Sequence, residues 1–270
     1  MSIKAGVSTA CLYPQMLEEA LAELLGSGIK TTEIFVNTHS EVLPDFTGML
    51  KGILAENGAE CTAYHPFTCP MEPMMMFSGY RRRLRDMLEY HRYYFEAMNR
   101  LGSEIFILHG NLNAVAVEEN QYFEVFNELS DAAAEYGITV AQENVARCQS
   151  RSLGFMKNML DSLGSKARFV LDIKQAVRSD EDPFEIVRTL GSSIVHVHMS
   201  DNTPGEDCLV PGTGDFDIRG FLKLLDSIGY EGAVMTELYR KNFKTVDELS
   251  RSCRYVENII KEIERERTVQ

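Results

Sequence analysis

Strand-like runs and amphipathic helix-like stretches alternate eight times along this chain of 270 residues. The strand-like runs are rich in β-branched and aromatic residues, and between them apolar residues recur at the spacing of one helix face. This alternation is typical of an α/β fold with a parallel sheet, and eight strands are enough to close a barrel. The sequence therefore predicts a single (β/α)8 TIM barrel over residues 1–270, with an open doubly wound sheet as the alternative. The predicted strands are residues 3–8, 31–36, 60–65, 104–109, 138–143, 168–173, 193–199 and 232–237.

Helix-like stretches follow the predicted strands, and many end at glycine-containing segments such as Asn57-Gly58. The segments after strands are long in two places, residues 66–78 and 200–216, whereas the turns into strands are short. Long connections in a compact domain are commonly functional, so we expect the active rim at the carboxyl ends of the strands. The apolar run Pro70–Phe77 is predicted to be a rim loop that forms a lid, a pocket wall or a subunit contact. The predicted helices lie near residues 16–25, 46–56, 79–101, 116–136, 150–164, 183–190, 217–228 and 244–266.

Composition and charge restrict the class of protein. The formal net charge of −13 argues against a general nucleic-acid surface, which needs clustered Lys and Arg. The six cysteines form no Cys-x-x-Cys pair, and we expect reduced thiols. The first residues offer no signal-peptide core, and no apolar run approaches the ~20 residues of a membrane span. We therefore expect a soluble cytoplasmic protein without nucleic-acid or membrane partners.

Four residues that bind divalent metals well stand at the ends of four different predicted strands. They are Glu143, Asp172, His198 and Glu237. A parallel barrel gathers its chemistry at the carboxyl ends of its strands, so these side chains should meet at one rim. Any one of them alone is explained equally well as a hydrogen-bonded structural residue. The four together are not, because converging carboxylates repel each other unless a cation lies between them.

Two glutamates, one aspartate and one histidine supply mostly oxygen ligands with one imidazole. Such a set favours one divalent ion, Mn, Mg or Co before Zn, over a closed structural zinc site. His65 and His109 also end strands on this rim, and they are candidates for substrate binding or for further metal ligands. His196 precedes His198 by two residues and should point inward one layer deeper, as a core histidine or as support for a ligand.

The chain resembles the xylose isomerase-like TIM barrels, a superfamily that includes sugar epimerases and isomerases together with endonuclease IV. The resemblance extends from Gly6 to Glu237 and rests on Glu143-Asn144, Asp172-x-x-Gln175, His196-x-His198 with Asp201, Pro211-Gly-Thr-Gly214 and Thr236-Glu237. Its ketose 3-epimerase branch implies that the four strand-end residues hold one divalent ion and that Glu143 and Glu237 also transfer protons. It further implies that Arg147 lies near the substrate.

The chain departs from two patterns of this superfamily. The epimerases have a second histidine three residues after the aspartate, where this chain has Gln175, which can still hydrogen-bond a substrate hydroxyl. The endonuclease pattern has Asp and His ligands of a three-zinc cluster where this chain has Glu206 and Cys208. His65 and His109 do match that pattern. The incomplete cluster and the net charge of −13 make an abasic-site nuclease the weaker alternative.

The resemblance thus implies a metal-dependent sugar isomerase or epimerase. It would remove a proton next to a carbonyl and pass through an enediolate, with Glu143 and Glu237 as acid and base. The expected partner is a small sugar or a sugar phosphate. Clear cations on this rim are few, with Lys174 and Arg147 among them, and they do not by themselves indicate a phosphate site. The same scaffold could also serve as a keto-polyol dehydratase of the inosose type or as a non-catalytic sugar-binding barrel. Pairing through the long rim loops would give a homodimer.

Overall fold

Eight parallel strands close into a barrel in this computed structural model, which describes residues 3–269. The barrel strands are β1 (Lys4–Ser8), β2 (Thr31–Phe35), β3 (Glu60–His65), β4 (Ile105–Leu108), β5 (Thr139–Glu143), β6 (Phe169–Asp172), β7 (Ile194–Met199) and, after the hairpin of β8 (Asp201–Thr203) and β9 (Glu206–Leu209), β10 (Ala233–Thr236). The parallel pairing of β1 with β10 closes the circle. The predicted closed (β/α)8 barrel is therefore confirmed, and the open sheet is excluded.

Helices surround the barrel, and each predicted helix is found with its ends within three residues of the expected positions. None of the helices within residues 3–269 is long and apolar enough to cross a membrane. The helices are α1 (Leu17–Gly26), α2 (Pro44–Glu56), α3 (Met71–Phe77), α4 (Arg81–Leu101), α5 (Glu119–Ala134), α6 (Leu153–Leu163), α7 (Ile173–Arg178), α8 (Pro183–Leu190), α9 (Ile218–Ser227) and α10 (Val246–Val269).

The two long segments after strands are more ordered than the sequence predicts. The sequence favours a loop over Pro70–Phe77, but most of this run forms α3, which packs on α4. Oε1 of Glu72 in α3 lies 3.1 Å from Nε2 of the buried His91 in α4. This polar contact holds the short helix α3 against α4. The second segment contains the β8–β9 hairpin.

The interior of the barrel has two layers that follow from the two-residue period of the strands. In the lower layer, strands β3 to β6 contribute small and branched apolar side chains, which form a cluster separate from the main core between barrel and helices: Ala63, Ile107, Ala141 and Val170. Two residues further along the same four strands, at or just beyond their carboxyl ends, stand the polar residues His65, His109, Glu143 and Asp172. The strand period therefore points these four side chains into the mouth of the barrel.

Candidate active site

The four strand-end residues Glu143, Asp172, His198 and Glu237 form one cluster at the mouth of the barrel, the quartet. One ligand atom from each residue lies within 4.8 Å of the other three. Nδ1 of His198 faces one oxygen of each carboxylate, at 3.2 Å for Glu143, 3.5 Å for Asp172 and 3.4 Å for Glu237. The first three are buried, and Glu237 is partly exposed. The structure thus brings together the four residues that the sequence singles out as metal ligands.

Asp172 is held in place by the chain on both sides of it. Its Oδ1 accepts a hydrogen bond from the backbone N–H of Gln175 at 3.0 Å, which caps the N-terminus of α7. Asn144 brackets its backbone, because Oδ1 of Asn144 accepts from the Asp172 N–H at 2.7 Å and Nδ2 donates to the Asp172 carbonyl at 3.0 Å. Its second oxygen, Oδ2, faces His198 in the quartet.

Glu33 is a buried carboxylate beside the quartet that the sequence reasoning missed. Its Oε2 lies 2.9 Å from Nε2 of His198 and 2.8 Å from Nε2 of His196, and Ser8 donates to its Oε1 at 2.8 Å. All four side chains are buried. The position of His196 agrees with the predicted deeper layer. The signal for Glu33 was a charged residue in the middle of a predicted strand, residues 31–36.

The surroundings of the quartet shift the pKa values of its three carboxyl groups in different directions. Burial by itself raises the pKa of each one, because it disfavours the charged form. For Glu143 the imidazoles of His109 and His198 outweigh burial and hold its pKa well below the ordinary value. Next to His198 the pKa of Glu237 is also lowered despite burial. For Asp172 burial prevails and its pKa is raised. Glu143 and Glu237 are therefore the carboxylates that stay ionised most readily.

Lys174 is not a free cation on the rim. Its ammonium group contacts Oδ2 of Asp172 and Oε2 of Glu237, and its side chain is 3% exposed. The sequence points to Lys174 as one of the few rim cations available to a substrate, and these ion pairs correct that expectation. Arg147, another of these cations, is exposed and remains accessible from the rim.

His65 and His109 lie against Glu143 on the side away from Asp172. Their Nε2 atoms are 2.8 Å apart, and Nε2 of His109 is 2.8 Å from Oε2 of Glu143. Nδ1 of His65 donates to the carbonyl of Pro66 at 2.8 Å, which fixes its ring. His65 is buried, whereas the side chain of His109 is 20% exposed. His109 is therefore the more accessible of the two.

An open cavity of about 610 Å³ lies above the quartet, a volume in the range of small-molecule sites. The residues predicted for catalysis or substrate binding all line it, namely His65, His109, Glu143, Arg147, Gln175 and Glu237. Aromatic rings also contribute to its wall, among them those of Phe35, Phe67 and Tyr239. Gln175 is held by its Oε1, which accepts from the N–H of Ala146 at 3.0 Å. The cavity thus combines apolar walls with polar groups that gather at its floor.

A model of the xylose isomerase-like TIM barrel family matches residues 21–259. The chain belongs to this family. The match covers most of the barrel described above, from within α1 to within α10, and confirms the resemblance that the motifs indicate.

Individual relatives are more distant. The 3-dehydroshikimate dehydratase of Pseudomonas aeruginosa is 27% identical over 245 residues, which cover 84% of this chain but 37% of that enzyme. The inosose isomerase of Halalkalibacterium halodurans is 28% identical over 129 residues, or 44% of this chain and 46% of that enzyme. The crystal structure of a D-tagatose 3-epimerase-like protein superimposes with a TM-score of 0.78 at 21% identity, covering 99% of this chain and 100% of that chain. This last likeness shows the shared fold.

The quartet fits a divalent cation by the chemistry of its donors. Three carboxylates and one imidazole converge within 4.8 Å, and oxygen-rich sets of this kind suit Mn, Mg or Co. Glu33 on the far nitrogen of His198 is the carboxylate–histidine arrangement that orients imidazole ligands in metal sites. Both observations are independent of any relative.

Proposed function

We propose that this protein is a divalent-metal-dependent sugar isomerase or epimerase. The observation that carries the proposal is that only two of the four quartet residues line the cavity. Among the described residues, Glu143 and Glu237 line the cavity, whereas Asp172 and His198 do not. The two glutamates are therefore the members that can reach a substrate, and their lowered pKa values keep them in the form that accepts a proton.

The reaction follows from these parts. A divalent cation in the quartet would polarise a substrate carbonyl and stabilise the negative charge of an enediolate. One glutamate, as the carboxylate, removes the proton from the carbon next to the carbonyl. The other, which has first taken a proton from water, returns that proton to the substrate. Return to the opposite face of the same carbon gives epimerisation, and return to the neighbouring carbon gives aldose–ketose isomerisation.

The cavity residues bind and orient the substrate in this scheme. Arg147 presents donors to sugar hydroxyl or carbonyl oxygens, and Gln175 offers its amide nitrogen while its oxygen is engaged by Ala146. The ring of His109 lines the same cavity. The aromatic wall, including Phe35 and Phe67, packs against the apolar faces of a sugar and reduces the access of water.

The test separates proton transfer from metal binding. Wild type, Glu143→Gln, Glu237→Gln and Asp172→Ala are incubated with a panel of ketoses in D₂O, and deuterium incorporation is followed by NMR alongside metal content by mass spectrometry. We expect the glutamine variants to lose exchange by about 10²-fold or more, the range for a missing general acid or base. Their metal content should fall less than that of Asp172→Ala. Exchange at the wild-type rate in either glutamine variant would contradict the scheme.

A dehydratase is the second candidate, and one finding favours it. The relative from P. aeruginosa that covers 84% of this chain is a 3-dehydroshikimate dehydratase. Dehydration begins with the same abstraction of a proton next to a carbonyl and differs in that a hydroxyl group then leaves. A dehydratase would convert a keto-polyol or keto acid irreversibly with loss of water, which mass analysis of the product detects. An epimerase would leave the mass unchanged in H₂O.

A further inference from the structure

Lys174 lies at the mouth of the barrel, and the proposed reaction leaves its role unexplained. It is the second residue of α7, the helix that Asp172 caps. Its ammonium group contacts Oδ2 of Asp172 and Oε2 of Glu237 and is buried with them. A lysine is rarely buried this far unless its charge is matched, and here it is matched by two members of the quartet.

The two oxygens that Lys174 contacts are the ones that the quartet itself uses. Oδ2 of Asp172 and Oε2 of Glu237 are the atoms that face Nδ1 of His198, at 3.5 and 3.4 Å. A divalent ion between these groups would draw on the same lone pairs. Two cations on the same pair of carboxylate oxygens repel each other, and the repulsion is strong in a buried site with little water to screen it.

The cavity and the ring of Tyr239 lie directly beside the ammonium group of Lys174. The ring of Tyr239 lies on the cavity wall with its centroid 5.8 Å from the ammonium nitrogen, within the range of a cation–π contact. Lys174 itself lines the cavity. A long flexible side chain therefore has a path from the two carboxylates toward the aromatic wall and the cavity.

We propose that Lys174 is an internal counter-ion of the quartet, which competes with a divalent cation for Asp172 and Glu237 and moves into the cavity when the cation binds. The proposal rests on the metal-binding part of the proposed function. Competition from Lys174 makes the affinity for the divalent cation lower than the four quartet ligands alone would give. The movement of Lys174 also brings a positive charge to the cavity together with the metal, where the charge would face oxygen atoms of a substrate.

The competition is measured by titrating Mn²⁺ into full-length, chelator-treated protein by calorimetry. Lys174→Met keeps the length of the side chain and removes its charge, and we expect Mn²⁺ to bind at least about tenfold more tightly to this variant. The matched control is Lys241→Met, which removes a positive charge from an exposed position in the segment after Glu237. Its affinity should stay within about twofold of wild type. Equal or weaker binding to Lys174→Met would overturn the proposal.

A second measurement needs no substitution and applies even if Lys174→Met folds poorly. Wild-type protein is acetylated with and without saturating Mn²⁺, and modification of Lys174 and Lys241 is quantified by peptide mass spectrometry. We expect the metal to increase acetylation of Lys174 several-fold relative to Lys241. An unchanged or lower ratio would contradict the displacement.

The outcomes distinguish this inference from the proposed function. Tighter Mn²⁺ binding by Lys174→Met without deuterium exchange on any sugar would support the counter-ion and contradict the isomerase. Deuterium exchange in the wild type with no change of Mn²⁺ affinity in Lys174→Met would support the isomerase and contradict the counter-ion. Failure of both proteins to bind Mn²⁺ would overturn both proposals.

Discussion

Oε2 of Glu33 lies 2.9 Å from Nε2 of His198. The other ring nitrogen of His198, Nδ1, faces the three carboxylates of the quartet. A carboxylate on Nε2 keeps the proton there and turns the lone pair of Nδ1 toward the quartet. Glu33 therefore determines both the tautomer and the orientation in which His198 can serve as a metal ligand.

Replacement of Glu33 by glutamine should weaken metal binding without removing a ligand. The amide loses the charge that holds the proton on Nε2 of His198, and outer partners of this kind contribute about 10- to 100-fold to metal affinity. Calorimetric titration with Mn²⁺ measures the change. The control is Glu60→Gln, which alters an exposed carboxylate paired with Lys4 at the other end of the barrel. An unaltered affinity in Glu33→Gln would show that His198 is oriented by its other neighbours.

Gly110 should tolerate alanine much less well than Gly137. Both glycines have a left-handed backbone, with φ of +77° and +72°. An alanine Cβ at Gly110 would stand 1.7 Å from the hydroxyl oxygen of Tyr122, whereas at Gly137 it would meet nothing within 4 Å. We expect Gly137→Ala to lose about 1–2 kcal/mol from backbone strain. Gly110→Ala should lose a further ~1–3 kcal/mol from overpacking.

Urea unfolding of the two glycine variants measures this difference. Gly110 directly follows His109, so Gly110→Ala should also lower the rate of proton exchange on the substrate. Gly137→Ala should leave that rate unchanged. Equal stability of the two variants would contradict the predicted clash with Tyr122.

Cys69 should be the thiol that reacts first with a disulfide reagent at pH 8. It is partly exposed, whereas the other five cysteines are buried. Burial raises the pKa of Cys11, Cys61, Cys148 and Cys253 to about 12, and it raises that of Cys208 as well. A pKa near 12 leaves roughly one thiolate in ten thousand at pH 8, and the thiolate is the reactive form.

Reaction with an aromatic disulfide reagent, followed by absorbance, counts these thiols. We expect one fast equivalent from the native protein and six after unfolding in guanidinium. Cys69→Ser should abolish the fast phase. Several fast equivalents from the native protein would mean that the barrel opens more readily than its burial indicates.

Asp201 should be essential for the shape of the segment after the β8–β9 hairpin. Its Oδ2 accepts from the N–H groups of Gly212 and Gly214, both at 2.9 Å, and its Oδ1 accepts from Asn202 at 2.8 Å and Phe216 at 3.0 Å. An asparagine has one acceptor oxygen in place of two, so two backbone donors would lose their partner. We expect Asp201→Asn to lose at least about 2 kcal/mol.

Two measurements test the role of Asp201. Urea unfolding gives the loss of stability, and hydrogen exchange should show faster exchange of the Gly212 and Gly214 amides. Asp215→Asn is the control, because Asp215 is exposed in the same segment. Unchanged protection of the two glycine amides would contradict the prediction.

The barrel and the quartet could be predicted because both follow from periodicity along single segments. The period of two in each strand determines which residue points inward at its carboxyl end, and Glu143 and Asp172 are marked by the apolar residues before them. Glu33 was overlooked because its role depends on His196 and His198, which are more than 160 positions away in the chain. The sequence around Glu33 shows a charge within a strand, but it does not show which residues that charge contacts.

Lys174 and α3 were misjudged for a related reason. The sequence marks Lys174 as a rim cation, but whether a lysine points to solvent or to carboxylates depends on Glu237, which approaches it from another strand. The run containing α3 has no clear helical period, and the contact between Glu72 and His91 is what ties this helix to α4. Both cases are decided by tertiary contacts.

The lower layer of the barrel has a consequence for the order of events in the site. Ala63, Ile107, Ala141 and Val170 are fully buried beneath the mouth of the barrel, Glu33 and His196 are buried beside them, and the cavity lies above this layer. Metal ions and sugars must therefore enter through the same opening, at the carboxyl ends of the barrel strands. A sugar seated in the cavity would block the way to Asp172 and His198, so binding is expected to be sequential, with the metal entering first and leaving last.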